Sequence, residues 1–262
     1  MTNFAAALWA ETLKLRHSKV PLFTALGFSI VPLVGGLFMV ILKDPEAARS
    51  MGLISTKAQL TAGTAEWATL FNLLAQATSV GGAILFSVFT AWVFGREFSD
   101  RTAKELLALP TPREAIIGAK FAVTAAWTLL LTLLCYLLGL IVGSLVQIPG
   151  WSASLFRSAT LDILGSGALT ILLLPFVAFF ASAGKGYLPS IGWTILVVAV
   201  SQIAIVTGWG GWFPWAVPAL FGGAVGPRAE FLGAHSYLLV FLASLAGLAI
   251  TFNWWRNADQ TK

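Results

Sequence analysis

Six long apolar runs, parted by short polar stretches, set the pattern of this chain. They cover about 20–42, 67–94, 115–146, 161–183, 188–207 and 236–255. Each is close to or longer than the roughly 20 residues a helix needs to cross a bilayer. Only Gly184-Lys185-Gly186-Tyr187 parts the fourth run from the fifth, so those two form a tight helical hairpin. Ahead of the first run, residues 1–19 read as a helix lying on the membrane, an anchor or a lever. Phe4, Leu8 and Leu15, extended by Ala5, Trp9 and Leu13, are assigned to its apolar side. Glu11, Lys14, His17 and Ser18 are assigned to the opposite, polar side. The stretch GWGGWFPWAVPALFGGAVGPRAEF is too apolar for a free loop and too broken by Gly and Pro to span. It predicts an outer re-entrant hairpin over 208–235 that caps an exit path or plugs the bundle. The pattern as a whole predicts an all-α integral membrane protein, with residues 1–262 as a single transmembrane domain.

Composition supports this. The chain is 58% hydrophobic and 10% charged, with a mean hydropathy of +0.85; soluble domains carry roughly 25% charge. Cys135 is the sole cysteine, which excludes an internal disulfide and a cysteine metal cluster. The run at 20–42 is longer than a signal-peptide core and lacks a small-residue cleavage pattern, so the chain is expected to be unprocessed. No exposed basic face of a soluble fold is evident, and no nucleic-acid partner is expected.

Basic residues orient the spans. Lys14, Arg16, Lys19, Arg96, Arg101, Lys104, Arg113, Lys120, Lys185, Arg256 and Lys262 flank one side; Lys43, Arg49, Lys57, Arg157 and Arg228 flank the other. Both termini and the segment between the second and third spans are therefore expected in the cytosol.

That segment, FGREFSDRTAKELLALPTPREAIIGAK, holds nine of the chain's 16 basic and 11 acidic side chains. Thr102-Ala103-Lys104-Glu105 has the form of a capping box, and Thr111-Pro112-Arg113-Glu114 that of a second, with Pro at the favoured first position. Between them a short helix is predicted to end at Pro110. Leu106, Leu107 and Leu109 would face inward or into a partner groove, and Arg101, Lys104 and Glu105 would face water. A solvated charged turn is the simpler alternative.

A polar stripe marks the second span. Asn72, Gln76, Ser79, Ser87 and Thr90 fall within about 80° on a 3.6-residue helix, and Phe86 shares the face. Such groups need partners in lipid, so the stripe faces a cavity or packs the bundle through hydrogen bonds. Ser190, Thr194 and Ser201 form a weaker stripe on the fifth span, with Gln202 off it. No span has a charge near its middle, which argues against ion coupling. Pro32 and Pro175 predict kinks, and Gly139-xxx-Gly143 a close helix approach.

No GxxxxGK[ST], HExxH or GxSxG occurs, so the chain is expected to carry no catalytic, metal or cofactor site of its own. A membrane-embedded lipid-processing enzyme or a non-transporting scaffold remain alternatives.

The segment resembles the intracellular stretch between the second and third spans of type-2 ABC exporter permeases. The resemblance rests on Glu97, Arg101-Thr102, Leu106-Leu107, Pro110, Arg113 and Lys120, with Arg101 where Gly is usual. It implies that the short helix is a coupling helix seated in a separate P-loop ATPase subunit, which binds ATP and magnesium. Glu97, Arg101, Thr102, Lys104, Glu105, Leu106, Leu107, Leu109, Pro110 and Arg113 would make that contact. It further implies a second permease subunit, a bacterial cytoplasmic membrane, and a path lined by the second and fifth spans. An amphipathic cargo, such as a peptide antibiotic, drug or lipid, would move along Asn72, Gln76, Ser79, Phe86, Ser87, Thr90, Thr194 and Ser201.

Overall fold

A computed structural model describes residues 3–44, 46, 52, 64–108, 110–223 and 231–257. All regular structure among these residues is helical, with no strand. In chain order they form α1 (Asn3–Arg16), α2 (Val20–Lys43), α3 (Trp67–Gln76), a π-turn (Ala77–Gly81), α4 (Gly82–Ser99) and the short α5 (Ala103–Leu107). Next come α6 (Arg113–Val146), α7 (Ala153–Ala183), α8 (Leu188–Val206), two 3₁₀ turns (Gly210–Trp212 and Pro214–Ala216), α9 (Val217–Phe221) and α10 (Ala234–Asn257).

Six of these stretches are long and apolar enough to span: α2, α3 through α4, α6, α7, α8 and α10. The bundle packs as α2 along α6, α4 and α10 along α7, and α8 against α7 and α4. Leu22, Leu26, Ile30, Leu33 and Leu37 of α2 point outward, while Phe28 and Met39 are fully buried. One stripe inward and one toward lipid is what a peripheral spanning helix requires. α7 begins at Ala153, earlier than the hydropathy predicts, because Ser152 Oγ accepts from Leu155 N at 3.2 Å and caps it.

In lipid, helices hold together by close packing rather than by expulsion of water. Gly139 and Gly143 serve this directly. A Cβ on Gly143 would stand 2.5 Å from the Trp67 ring, and one on Gly139 would collide with Leu74. The predicted close approach is therefore that of α6 to α3 within the chain.

Both ends of the bundle are well defined. α1, the end of α4, α5, the start of α6, the α7–α8 turn and the end of α10 share one end. There Gly95 lies under Gly186 and Tyr187, and Arg113 Nη1 donates to the carbonyls of Trp255 (2.9 Å) and Arg256 (3.1 Å). We call this the basic end. At the opposite end Lys43 Nζ donates to Val146 O and Trp67 N to Pro149 O. Leu109, Arg49, Lys57, Arg228 and Lys262 lie outside the described residues.

The segment after α8 folds into the bundle. Ala216, Val217 and Leu220 are buried, and Trp215 packs with Phe176 and Trp193. Irregular backbone at this position is sheltered by α7, α8 and α10.

Candidate functional site

Two regions carry the polar groups of interest: a charged foot at the basic end and a hydroxyl-lined cavity in the bundle.

The foot joins three helices. Lys120 of α6 is fully buried and donates to Glu97 Oε1 (2.7 Å), Glu11 Oε2 (3.3 Å) and Val93 O (2.7 Å). Lys14 of α1 donates to Glu11 Oε1 (2.6 Å) and Glu97 Oε1 (2.8 Å). Two carboxylates thus face two ammonium groups, so the cluster is neutral overall. Burial alone lowers the Lys14 pKa, but the charges of Glu11 and Glu97 and their hydrogen bonds outweigh this and raise it. Neutrality and direct hydrogen bonds are what make ion pairs tolerable away from water.

This geometry corrects two expectations. Glu11 points inward, 5% exposed, rather than lying on a water-facing side. On a helix advancing 100° per residue it falls beside Phe4 and Leu15, so the stripe that packs on α6 contains it. The outward face of α1 is instead the one with Trp9 and Leu13. Glu97, expected at a partner surface, is 3% exposed and holds the foot together. What sequence reasoning missed was the pairing itself. The signal was present in an acid and a base stranded at span ends, each in need of a counter-charge.

α4 ends just past the foot. Arg101 takes a left-handed conformation (φ 60°), and the Thr102 and Arg101 amides donate back to Glu97 O (2.8 Å) and Phe98 O (3.3 Å). This is a Schellman closure, a position where glycine costs least, which explains the glycine usual there in the family the segment resembles. α5 follows at once. Arg101, Thr102, Lys104, Glu105 and Pro110 are exposed. Ala103 is buried, and Leu106 packs on the core around Phe94 and Ile117.

Neither expected capping box forms. The Thr102 side chain makes no cap hydrogen bond, and α6 starts at Arg113 with Pro112 as its uncapped flank. The Schellman closure and the Arg113 bonds to the end of α10 order the segment instead. Arg113 is half-buried in that role, and Glu114 pairs with Arg256 at 3.5 Å.

The cavity, about 30 Å³, lies between α4, α7 and α8. Ser79, Ser87, Thr170, Thr194, Leu174 and Trp215 are among its walls. Its hydroxyls bond backward along their own helices: Ser79 to Gln76 O (2.9 Å), Ser87 to Ala83 O (2.6 Å), Thr170 to Ser166 O (2.8 Å) and Thr194 to Ser190 O (2.9 Å). The space therefore has mildly polar walls whose hydroxyls are satisfied within their own helices.

The rest of the expected stripe divides. Thr90 is buried and bonds Phe86 O (2.6 Å), and Ser201 is buried and bonds Val197 O (2.6 Å). Neither lines the cavity. Phe86 is buried against Phe28, with ring centroids 5.4 Å apart. Asn72 is exposed and Gln76 half-buried. The π-turn accounts for the split. Its wider winding inserts about one residue, so the inward face above it is offset by roughly 100° from the face below. A constant 100° projection joins outward residues above to inward residues below.

No group of three or more potential metal ligands occurs among the described residues. His17 is exposed at the end of α1, while His235 stacks on Trp212 at the other end, with ring centroids 4.2 Å apart.

Six helices long and apolar enough to span, with no strand among the described residues, define a multi-pass helical membrane protein. The ABC-2 family transporter protein profile matches residues 7–201, and the chain belongs to that family. It is also similar to the bacitracin transport permease protein BCRB of Bacillus licheniformis, 30% identical over 179 residues. That match covers 68% of this chain and 85% of the relative. No solved structure matches the chain significantly.

Proposed function

We propose that the chain is the permease subunit of an ATP-driven exporter in a bacterial cytoplasmic membrane. It would work with a separate P-loop ATPase, which binds ATP and magnesium, and with a second permease subunit. The basic end then faces the cytosol, as the excess of Lys and Arg there favours, and α1 lies at the inner membrane surface. One observation carries the reading beyond family membership. α5 presents Lys104 and Glu105 outward from a backbone that runs directly out of the ion-paired foot. Exposed mixed charge selects a partner and sets its register. Force applied to α5 reaches α4, α6 and α1 together, because Glu97, Lys120 and Glu11 join them.

The cargo is an amphipathic molecule, and the likeness to a bacitracin transport permease favours a peptide antibiotic. The walls, apolar with internally satisfied hydroxyls, match its chemistry, and the cavity of about 30 Å³ would have to widen to admit it. Lys104→Glu combined with Glu105→Lys tests the docking. Both side chains are exposed, so thermal unfolding stays unchanged, while copurification of the ATPase and cargo-stimulated hydrolysis fall roughly tenfold or more. Unaltered binding and hydrolysis would remove α5 from the interface.

A further inference from the structure

A second opening at the basic end adjoins the foot at Lys14. It is a cleft of about 610 Å³ between α1, the end of α4 and the α7–α8 turn, bordered by Lys14, His17, Trp92, Arg96, Asp100 and Tyr187. Its apolar edge includes Leu13, on the outward face that also carries Trp9.

The free chemistry of this cleft differs from its nominal charge. Lys14 is already held by Glu11 and Glu97. Arg96 lies over Trp92, with Cζ 5.0 Å from the ring centroid, and meets Asp100 Oδ2 only through Nε at 4.0 Å. That is longer than a hydrogen bond and leaves the two-pronged Nη end available. His17 Nδ1 contacts Leu13 O at 2.9 Å, which leaves Nε2 free to bond elsewhere. Ser18 Oγ accepts from Val20 N at 3.1 Å, so its own proton remains to donate. What stays available is one guanidinium fork and one carboxylate as the charged groups, with two aromatic rings, His17 Nε2 and the Ser18 hydroxyl beside them. Arg96 and Asp100 cancel in charge.

A neutral cleft with separate cationic and anionic ends suits a zwitterion rather than an anion. We propose that it binds a phosphoethanolamine group, with phosphate on the Arg96 fork and the primary ammonium on Asp100. Arg holds phosphate oxygens two at a time, and a primary amine supplies the N–H donors a carboxylate accepts. Trp92 and Tyr187 have the amphipathic rings that settle at headgroup level. With Leu13 and Trp9 beside the opening, the acyl chains of a phosphatidylethanolamine would run along α1 toward lipid. The bound lipid would fasten α1 to the α7–α8 turn.

Native mass spectrometry of the purified full chain, incubated with defined lipids, tests this. Phosphatidylethanolamine should be retained over phosphatidylglycerol and over phosphatidylcholine, whose quaternary amine has no N–H to donate. Arg96→Gln should lower that retention roughly tenfold, the loss expected for one charge-assisted contact. Asp100→Asn, at an exposed side chain that folding tolerates, should bring phosphatidylethanolamine down to the level of phosphatidylglycerol. Soluble phosphoethanolamine forms a separate arm. If it displaces the lipid at equal concentration, the same group binds from solution rather than from the membrane. Equal retention of the three lipids, or retention unmoved by both substitutions, would overturn the assignment. The measurement needs no ATPase, so its failure leaves the exporter reading standing.

Discussion

At its basic end α4 is tied to two other helices by charge, whereas at mid-bundle Ser79 and Ser87, on the same span, bond only to their own backbone. The foot is interhelical and specific: Lys120 cannot leave without making two buried carboxylates share Lys14 alone. The cavity wall is self-satisfied, so α4, α7 and α8 can slide past one another without breaking a hydrogen bond among these hydroxyls. Polar groups in a membrane protein thus do opposite things according to where their partners lie. Partners on other helices make a joint, and partners within one helix make a surface. Under the proposed function, the first would be the joint where force enters and the second the surface that rearranges around cargo.

The sharpest way to break this contrast is at Lys120. Lys120→Met leaves Glu97 and Glu11 buried with Lys14 alone, and should cost about 3–5 kcal/mol in thermal or denaturant unfolding in detergent. Adding Glu97→Gln should restore much of that loss, because a neutral replacement of both partners removes the stranded charge. If the single variant is as stable as the parent, the foot is not a joint.

A smaller effect is expected at the wall. Ser87→Ala and Thr194→Val should each change stability by less than about 0.5 kcal/mol, because no partner on another helix is orphaned. A loss of several times that size would show that these hydroxyls bridge helices.

The smallest effect sharpens the α1 side of the joint. Lys14 has a raised pKa when folded, so its contribution is complete below its ordinary value of 10.5 and is lost as pH rises through the folded value. A nitroxide at Trp9→Cys should report increased α1 mobility only above about pH 10.5, and Lys14→Met should abolish that dependence. Cys135 is buried and will not compete for the label.

These regions also differ in how legible they are from sequence. The spans are plain because hydrophobic length alone decides them, and α7 is misjudged only where Arg157, Ser158 and Thr160 interrupt its first turns and hide its start. The cavity wall is half legible. Ser79, Ser87 and Thr194 follow from polarity, but Asn72 and Gln76 do not, since nothing in ATSVG announces a π-turn. The foot is the least legible. Glu11 can be placed by careful projection, yet its meeting with Lys120 spans 109 positions and depends on α1 lying against α6. The capping boxes show the converse error. A local motif matched, but tertiary bonds from Arg113 and the turn at Arg101 had already fixed the chain.

The extra residue wound into positions 77–81 has a consequence for reading related chains. A relative whose second span lacks it would present different side chains toward the centre above that point, even where the letters align without a gap. Carrying cargo-facing positions from such a protein to this one requires stepping over one residue there. Variability at Asn72 or Gln76 between the two would then reflect a change of outlook, not a change of cargo.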